Sequence, residues 1–168
     1  MLHGSFRDAI RLAVQIALVA LSSYLCGFYF TSLFHSASAG TGGLWAVMSG
    51  IVVLQDTRRK TWSSAWLQIL GTLVGSIISA AYLSTLPFSA LGMAAAVFAT
   101  VLLCYGLRIP EHARLAALAV GVVMVVSGLH PTLNPLVSAA LRFIEACIGT
   151  AMAALAVQLW PSPPELSN

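Results

Sequence analysis

Six stretches of the chain, residues 10–34, 37–55, 62–86, 88–107, 113–129 and 136–160, are apolar over the length a helix needs to cross hydrocarbon. Roughly 20 residues, each rising about 1.5 Å, span about 30 Å. Within lipid every backbone N–H and C=O must find its partner inside its own segment, so such runs are helices and not strands. The polar surface that would keep them in water is missing: 59% of residues are apolar and 8% charged, against roughly 25% charged in a water-soluble domain. A chain of 168 residues also has too small an interior to hide that much apolar surface. The expectation is an all-α integral membrane protein, a compact bundle of about six transmembrane helices over residues 1–161 with a short cytoplasmic tail at 162–168.

The second run is the weakest, because Gly40, Gly42 and Gly43 interrupt its start and leave a strong core only from Leu44 to Leu54. It reads as short, tilted or partly re-entrant. Pro87, Pro131 and Pro135 mark tight turns, which make the flanking helices antiparallel neighbours. The first run is longer than the apolar core of a cleavable signal and is expected to stay as the first helix.

Short cytoplasmic loops carry an excess of Lys and Arg. Arg7 and Arg11 precede the first helix, Arg58, Arg59 and Lys60 join the second to the third, and Arg108 and Arg114 join the fourth to the fifth. The alternate loops contain neither residue type, so both termini are expected in the cytoplasm. The net charge of +3 sits in these short clusters with no extended basic face, which argues against nucleic acid as a partner. Cys26, Cys104 and Cys147 lie inside apolar runs at no metal-ligand spacing and read as packing residues. With no nucleotide loop, zinc spacing or nucleophile elbow, the sequence points to no cofactor, no metal and no enzyme.

Arg142 breaks the charge pattern. It lies about seven residues into the sixth run, roughly 10 Å inside the outer boundary, where a cation is costly. Glu145, at i+3, shares its face one turn deeper. In the functional reading, Arg142 draws an anion into a water-filled path while Glu145 tempers the charge or carries a proton. In the structural reading the pair neutralises itself and fixes helix packing.

On the first helix Arg7, Arg11, Gln15 and Ser22 form a polar stripe that fades inward, suited either to an anion vestibule or to headgroup anchoring with Gln15 bonded to a neighbour. Arg58 and Arg59 stand with Asp56, Trp62 and Trp66 in what suits an interfacial belt. His35 and His130 fall in outer loops. Gly71, Gly75 and Ser79 in the third run, and Gly149 and Ala153 in the sixth, are spaced by four and present small-residue ridges for close helix contact, within the chain or between copies. The third and sixth runs also share Gly71-Thr72 and Gly149-Thr150. Three helices per half would make the halves a 3+3 inverted repeat, an arrangement that places binding sites near the bilayer midplane.

Taken in order, Leu44-Trp45-Ala46-Val47-Met48-Ser49, Val52-Val53-Leu54-Gln55, the basic loop, Leu67 to Gly75 with its Gly-Thr-x-x-Gly, Arg142 ahead of Gly149, and the closing Trp160-Pro161 resemble the membrane module of the fusaric acid resistance and aromatic acid exporter family. Trp45, Gly71, Thr72, Gly75, Arg142 and Gly149 are the matching positions. The resemblance implies a bacterial inner-membrane exporter of small organic anions, notably hydroxylated aromatic carboxylates, driven by the proton gradient. Plant aluminium-activated malate channels resemble the same module and work as dimers.

Many members carry a sizeable cytoplasmic domain after the sixth helix, and this chain is expected to lack one. A homo-oligomer, with a dimer favoured, or a partner protein standing in for that domain is therefore expected to complete a pathway. Three activities stay open at this point: an organic-anion carrier in which Arg142 is the charge partner and Arg11, Arg58 and Arg59 gather substrate, a passive organic-anion channel, and an assembly or regulatory subunit without transport of its own.

Overall fold

The computed structural model describes residues 6–55 and 57–160, apart from the side chain of Asp8. The expected tail at 162–168 lies outside the described residues, as does Asp56. Six α-helices follow one another: α1 (Phe6–Phe34), α2 (Ala39–Val53), α3 (Arg58–Thr85), α4 (Ala90–Gly106), α5 (Ala113–Leu129) and α6 (Pro135–Leu159), with short 3-10 turns at Ser36–Ser38 and Pro110–His112. No strand occurs among the described residues. Five spans, counting α2 with its preceding turn and α5 with its own, are long and apolar enough to cross a bilayer. The remaining helix, α4, has 17 residues, about the lower limit for a span.

Two expectations need correction. The glycines of the second run do not interrupt its helix: Gly40, Gly42 and Gly43 all lie inside α2, and at Gly42 and Gly43 the missing side chain leaves room for Thr31 and Glu145 and for Tyr24. Arg58, Arg59 and Lys60 are not a loop but the first turn of α3, with the Thr57 hydroxyl accepting from the Lys60 N–H as its cap. Thr61 closes that corner by bonding the backbone N–H and carbonyl of Gln55.

The other ends follow local rules. Ser89 and Asn134 cap α4 and α6 through their side chains, and Pro135 occupies the first turn of α6, where its missing N–H costs no helical hydrogen bond. At the end of α4 the Arg108 N–H donates to Tyr105 and the Ile109 N–H to Cys104. Arg108 itself has φ of 60°, and Ile109 packs on the cluster formed by Cys104, Ala113 and Ala116. This is the Schellman closure, with arginine where glycine is the usual occupant.

The two halves are built alike. Each runs helix, 3-10 turn, helix, helix. In the first half α1 packs on α2 and in the second α4 packs on α5; α6 lies against α2 as α3 lies against α5; and α3 and α6 meet each other at the centre. Exchanging the halves maps this set of neighbours onto itself, and three helices per half turn the second half over, the topology of an inverted repeat.

The glycines singled out by the shared Gly-Thr fragment and by the spacing of four sit on the two seams. Gly149 rests between the Ala46 carbonyl and the Gly50 N–H of α2, Gly71 between the His112 carbonyl and the Ala116 N–H, and Gly75 between the Ala116 carbonyl and the Val120 N–H of α5. Each thus touches a carbonyl and the N–H four residues on, with no room for a Cβ. These close contacts lie within one chain.

By contrast α1 is attached along one narrow stripe, Val19, Ser23, Gly27 and Thr31, every fourth residue, and its other faces are largely exposed. Near its start the Arg11 guanidinium lies 5.9 Å from the Trp160 ring centroid, and Arg58 donates to the Gln158 carbonyl at 3.3 Å. The beginnings of α1 and α3 and the end of α6 therefore share one end of the bundle, the basic end.

Candidate functional site

The last residue of the α1 stripe, Thr31, faces α2 where Gly42 leaves a gap. Through that gap the Thr31 hydroxyl donates to Glu145 Oε1 on α6. A Cβ on Gly42 would overlap both the Thr31 hydroxyl and the Glu145 carboxylate. One helical turn along α2, the Trp45 indole N–H donates to the backbone carbonyl of Arg142 at 2.9 Å. Arg142 and Glu145, three residues apart, form an ion pair with Nη2 and Oε1 2.7 Å apart, and both side chains are 0% exposed. Three helices thus meet at one pair of opposite charges.

The pair is incompletely satisfied. Nη2 approaches Oε1 closely but without the alignment of a hydrogen bond, and Arg142 Nε, Arg142 Nη1 and Glu145 Oε2 have no partner at all. Guanidinium is a donor only, with five N–H groups on a rigid fork that matches a carboxylate. Leaving a buried donor or acceptor unmet costs about 1–3 kcal/mol, more when it is charged. A bundle that only needed packing there would be better served by apolar side chains of similar volume.

A second polar group lies on the same central helices. Gln68 of α3 donates through Nε2 to the Ser49 hydroxyl of α2 at 3.1 Å, while its Oε1 has no partner. The hydroxyls of Ser23, Thr72, Ser76 and Thr150 are likewise buried and unpartnered. Polar atoms without partners are therefore gathered on the inward faces of α1, α3 and α6.

The sequence-selected residues separate into places. Arg142, Glu145 and Trp45 come together as described. Gly71, Gly75 and Gly149 are seam residues, and Thr72 is one of the buried hydroxyls. Arg11 and Gln15 are elsewhere: Thr31 stands 20 residues beyond Arg11 on one continuous helix, about 30 Å along the axis, so the basic end and the ion pair lie far apart. Gln15 lines a groove between α1 and α6. Arg58 and Arg59 are exposed, Arg58 reaching the end of α6. His35 and His130, in separate loops, stack edge to face with ring centroids 5.5 Å apart, and Ser38 bonds His35 Nδ1 at 3.0 Å.

Comparison with known families decides what kind of chain this is: the family described as fusaric acid resistance protein-like matches residues 25–156. The chain belongs to that family. The matched region takes in Thr31, Gly42, Trp45, both seams and the Arg142–Glu145 pair, so the whole buried cluster lies inside the family's shared part. Arg11, Gln15 and Trp160 fall outside it. No curated protein and no solved structure matched the chain. Membership in a fusaric acid resistance protein-like family is consistent with a multi-pass membrane protein of the transport and resistance type.

Thr31, Gly42, Ser49 and Gln68 are not among the site residues expected from the sequence, although Ser49 and Gln68 lie in the segments that carry the family resemblance. The signal for Gly42 was present but was read as helix interruption. Thr31 carried none, because a threonine near the end of an apolar run is ordinary.

Proposed function

We propose that this chain exports small organic anions, such as aromatic carboxylates, across a bacterial inner membrane with both termini in the cytoplasm. It works as a homo-oligomer, a dimer being favoured, and is coupled to the proton gradient. The observation that carries the reading is the fully buried Arg142 guanidinium, held by a single carboxylate, with Nε and Nη1 unpartnered. A substrate carboxylate offers that fork the two-point contact it lacks. Glu145 keeps the unloaded site electrically neutral and yields the guanidinium when substrate arrives. Trp45, by bonding the Arg142 carbonyl rather than its side chain, holds the backbone in place while the guanidinium changes partner. Thr31 keeps the released carboxylate hydrogen-bonded in the gap beside Gly42.

The test is uptake of a labelled aromatic carboxylate into sealed inside-out vesicles containing the purified chain, with and without an imposed proton gradient, beside Arg142→Ala. Gradient-dependent uptake that falls at least about tenfold in a correctly assembled Arg142→Ala protein supports the reading. Uptake that persists at fixed voltage after the gradient collapses replaces the carrier with a channel. No uptake by assembled wild-type protein rejects transport of that substrate by this chain alone.

A further inference from the structure

The groove between α1 and α6 has no part in the cluster around Arg142. Its volume is 540 Å³, and it runs from Gln15 and Trp160 past Leu18 and Ser22 to Met152 and Leu155. Polarity along it is graded. At the basic end stand Trp160, the Arg11 guanidinium over its ring, Gln15 one turn deeper, and Arg58 bound to the Gln158 carbonyl. Farther in the walls are apolar, and the one remaining polar group, the Ser22 hydroxyl, is already engaged by the Leu18 and Val19 carbonyls. From Trp160 to Met152 is eight residues, roughly 12 Å along the helix, close to the depth of hydrocarbon in one leaflet of a bilayer about 30 Å thick. The groove opens sideways, with Leu18, Leu155 and Leu159 about half to four-fifths exposed.

We infer that this groove is a binding site for an anionic phospholipid of the leaflet at the basic end, its phosphodiester held by Arg11 and Arg58 and one acyl chain lying along Leu18, Met152 and Leu155. Guanidinium groups bind phosphate through paired N–H donors, and basic residues at a membrane surface attract anionic lipid. The gradient from cation through amide and indole to aliphatic wall follows an amphiphile from headgroup to chain. Below Gln15 a soluble organic acid would meet only the Ser22 hydroxyl, whose proton is already donated within α1. The inference is independent of the transport reading, since it uses none of the residues at Arg142.

Native mass spectrometry of the full chain released from detergent tests it, with phosphatidylglycerol and phosphatidylcholine of identical acyl chains as probes. The wild type is expected to retain phosphatidylglycerol with about fivefold or greater preference, and Arg11→Gln to reduce that preference. Leu155→Trp, which fills the groove from a half-exposed position, is expected to lower retention of the lipid, and Leu91→Trp on the exposed face of α4 to leave it unchanged. As a second readout, phosphatidylglycerol brominated on its chain should quench tryptophan fluorescence more strongly in the wild type than in Trp160→Phe. Equal retention of the two lipids overturns the inference, and so does indifference to both Arg11→Gln and Leu155→Trp. Displacement of the lipid by an aromatic carboxylate gives the groove to substrate instead, and a change of oligomeric state in Leu155→Trp gives it to a second copy.

Discussion

The indole N–H of Trp45 donates to the main-chain carbonyl of Arg142, 97 positions later in the chain, at 2.9 Å. The tryptophan therefore fixes α6 against α2 at the residue whose side chain bears the buried positive charge, and leaves the charge itself to Glu145.

Trp45→Phe removes the donor and keeps most of the ring's apolar bulk. Because the carbonyl keeps its place in the α6 helix, the loss should be about 0.5–1.5 kcal/mol. Trp45→Ala also opens a cavity and should cost about 3–5 kcal/mol. Unfolding of the purified protein in one fixed detergent measures both, and equal losses in the two variants would remove the hydrogen bond from this account.

Breaking the ion pair from its two sides should not be symmetrical. Glu145→Gln strands a guanidinium that cannot shed its proton and should destabilise by about 3–5 kcal/mol. Arg142→Met strands a carboxyl, which can take up a proton and become neutral, and should cost less. The double variant Arg142→Met with Glu145→Leu should fold about as well as the wild type while losing anion uptake. Detergent melting curves beside vesicle uptake separate these outcomes, and a double variant that transports normally would make the pair purely structural.

Glycine-to-alanine changes should divide by sign. At Gly42 a Cβ meets the Thr31 hydroxyl and Glu145, and at Gly149 it meets the Ala46 carbonyl, part of a helix backbone that cannot step aside. Each should destabilise by about 1–3 kcal/mol, and Gly42→Ala should also depress uptake by disturbing the Thr31–Glu145 contact. At Gly121, in the middle of α5, nothing lies within 4 Å of a Cβ. There alanine should stabilise the helix by up to about 1 kcal/mol. Thermal unfolding of the three variants side by side is the check.

Arg108 holds a left-handed backbone at φ of 60°, a conformation that costs an ordinary residue about 1 kcal/mol or more. Arg108→Gly should raise the melting temperature while preserving the bonds to Tyr105 and Cys104. Arg108→Val, β-branched at the same φ, should lower it.

Much of this protein can be read in order along the chain. The run at 113–129 is α5 with the bounds expected, and the other five runs meet their helices to within about four residues. The largest shifts are at the starts of α1 and α3, which begin at Phe6 and Arg58, since charged side chains at a membrane boundary extend to the headgroups and do not end a helix. Arg142 and Glu145 were legible as a pair because i and i+3 share a helix face. The partners Thr31 and Trp45 lie 114 and 97 positions away from the residues they bond, and no local periodicity reports such a distance.

Sequence alone was enough to show that the chain crosses a bilayer as helices and where each lies to within about four residues, because backbone hydrogen bonds in lipid are satisfied within each segment. Which faces meet was decided only by the tertiary structure. Lipid tails are as apolar as leucine, so an exposed apolar face and a packed one can have the same composition. Close backbone contact at Gly71, Gly75 and Gly149, and the few polar groups that had to be brought out of hydrocarbon together, set which helices became neighbours and placed Arg142 where α1, α2 and α6 meet.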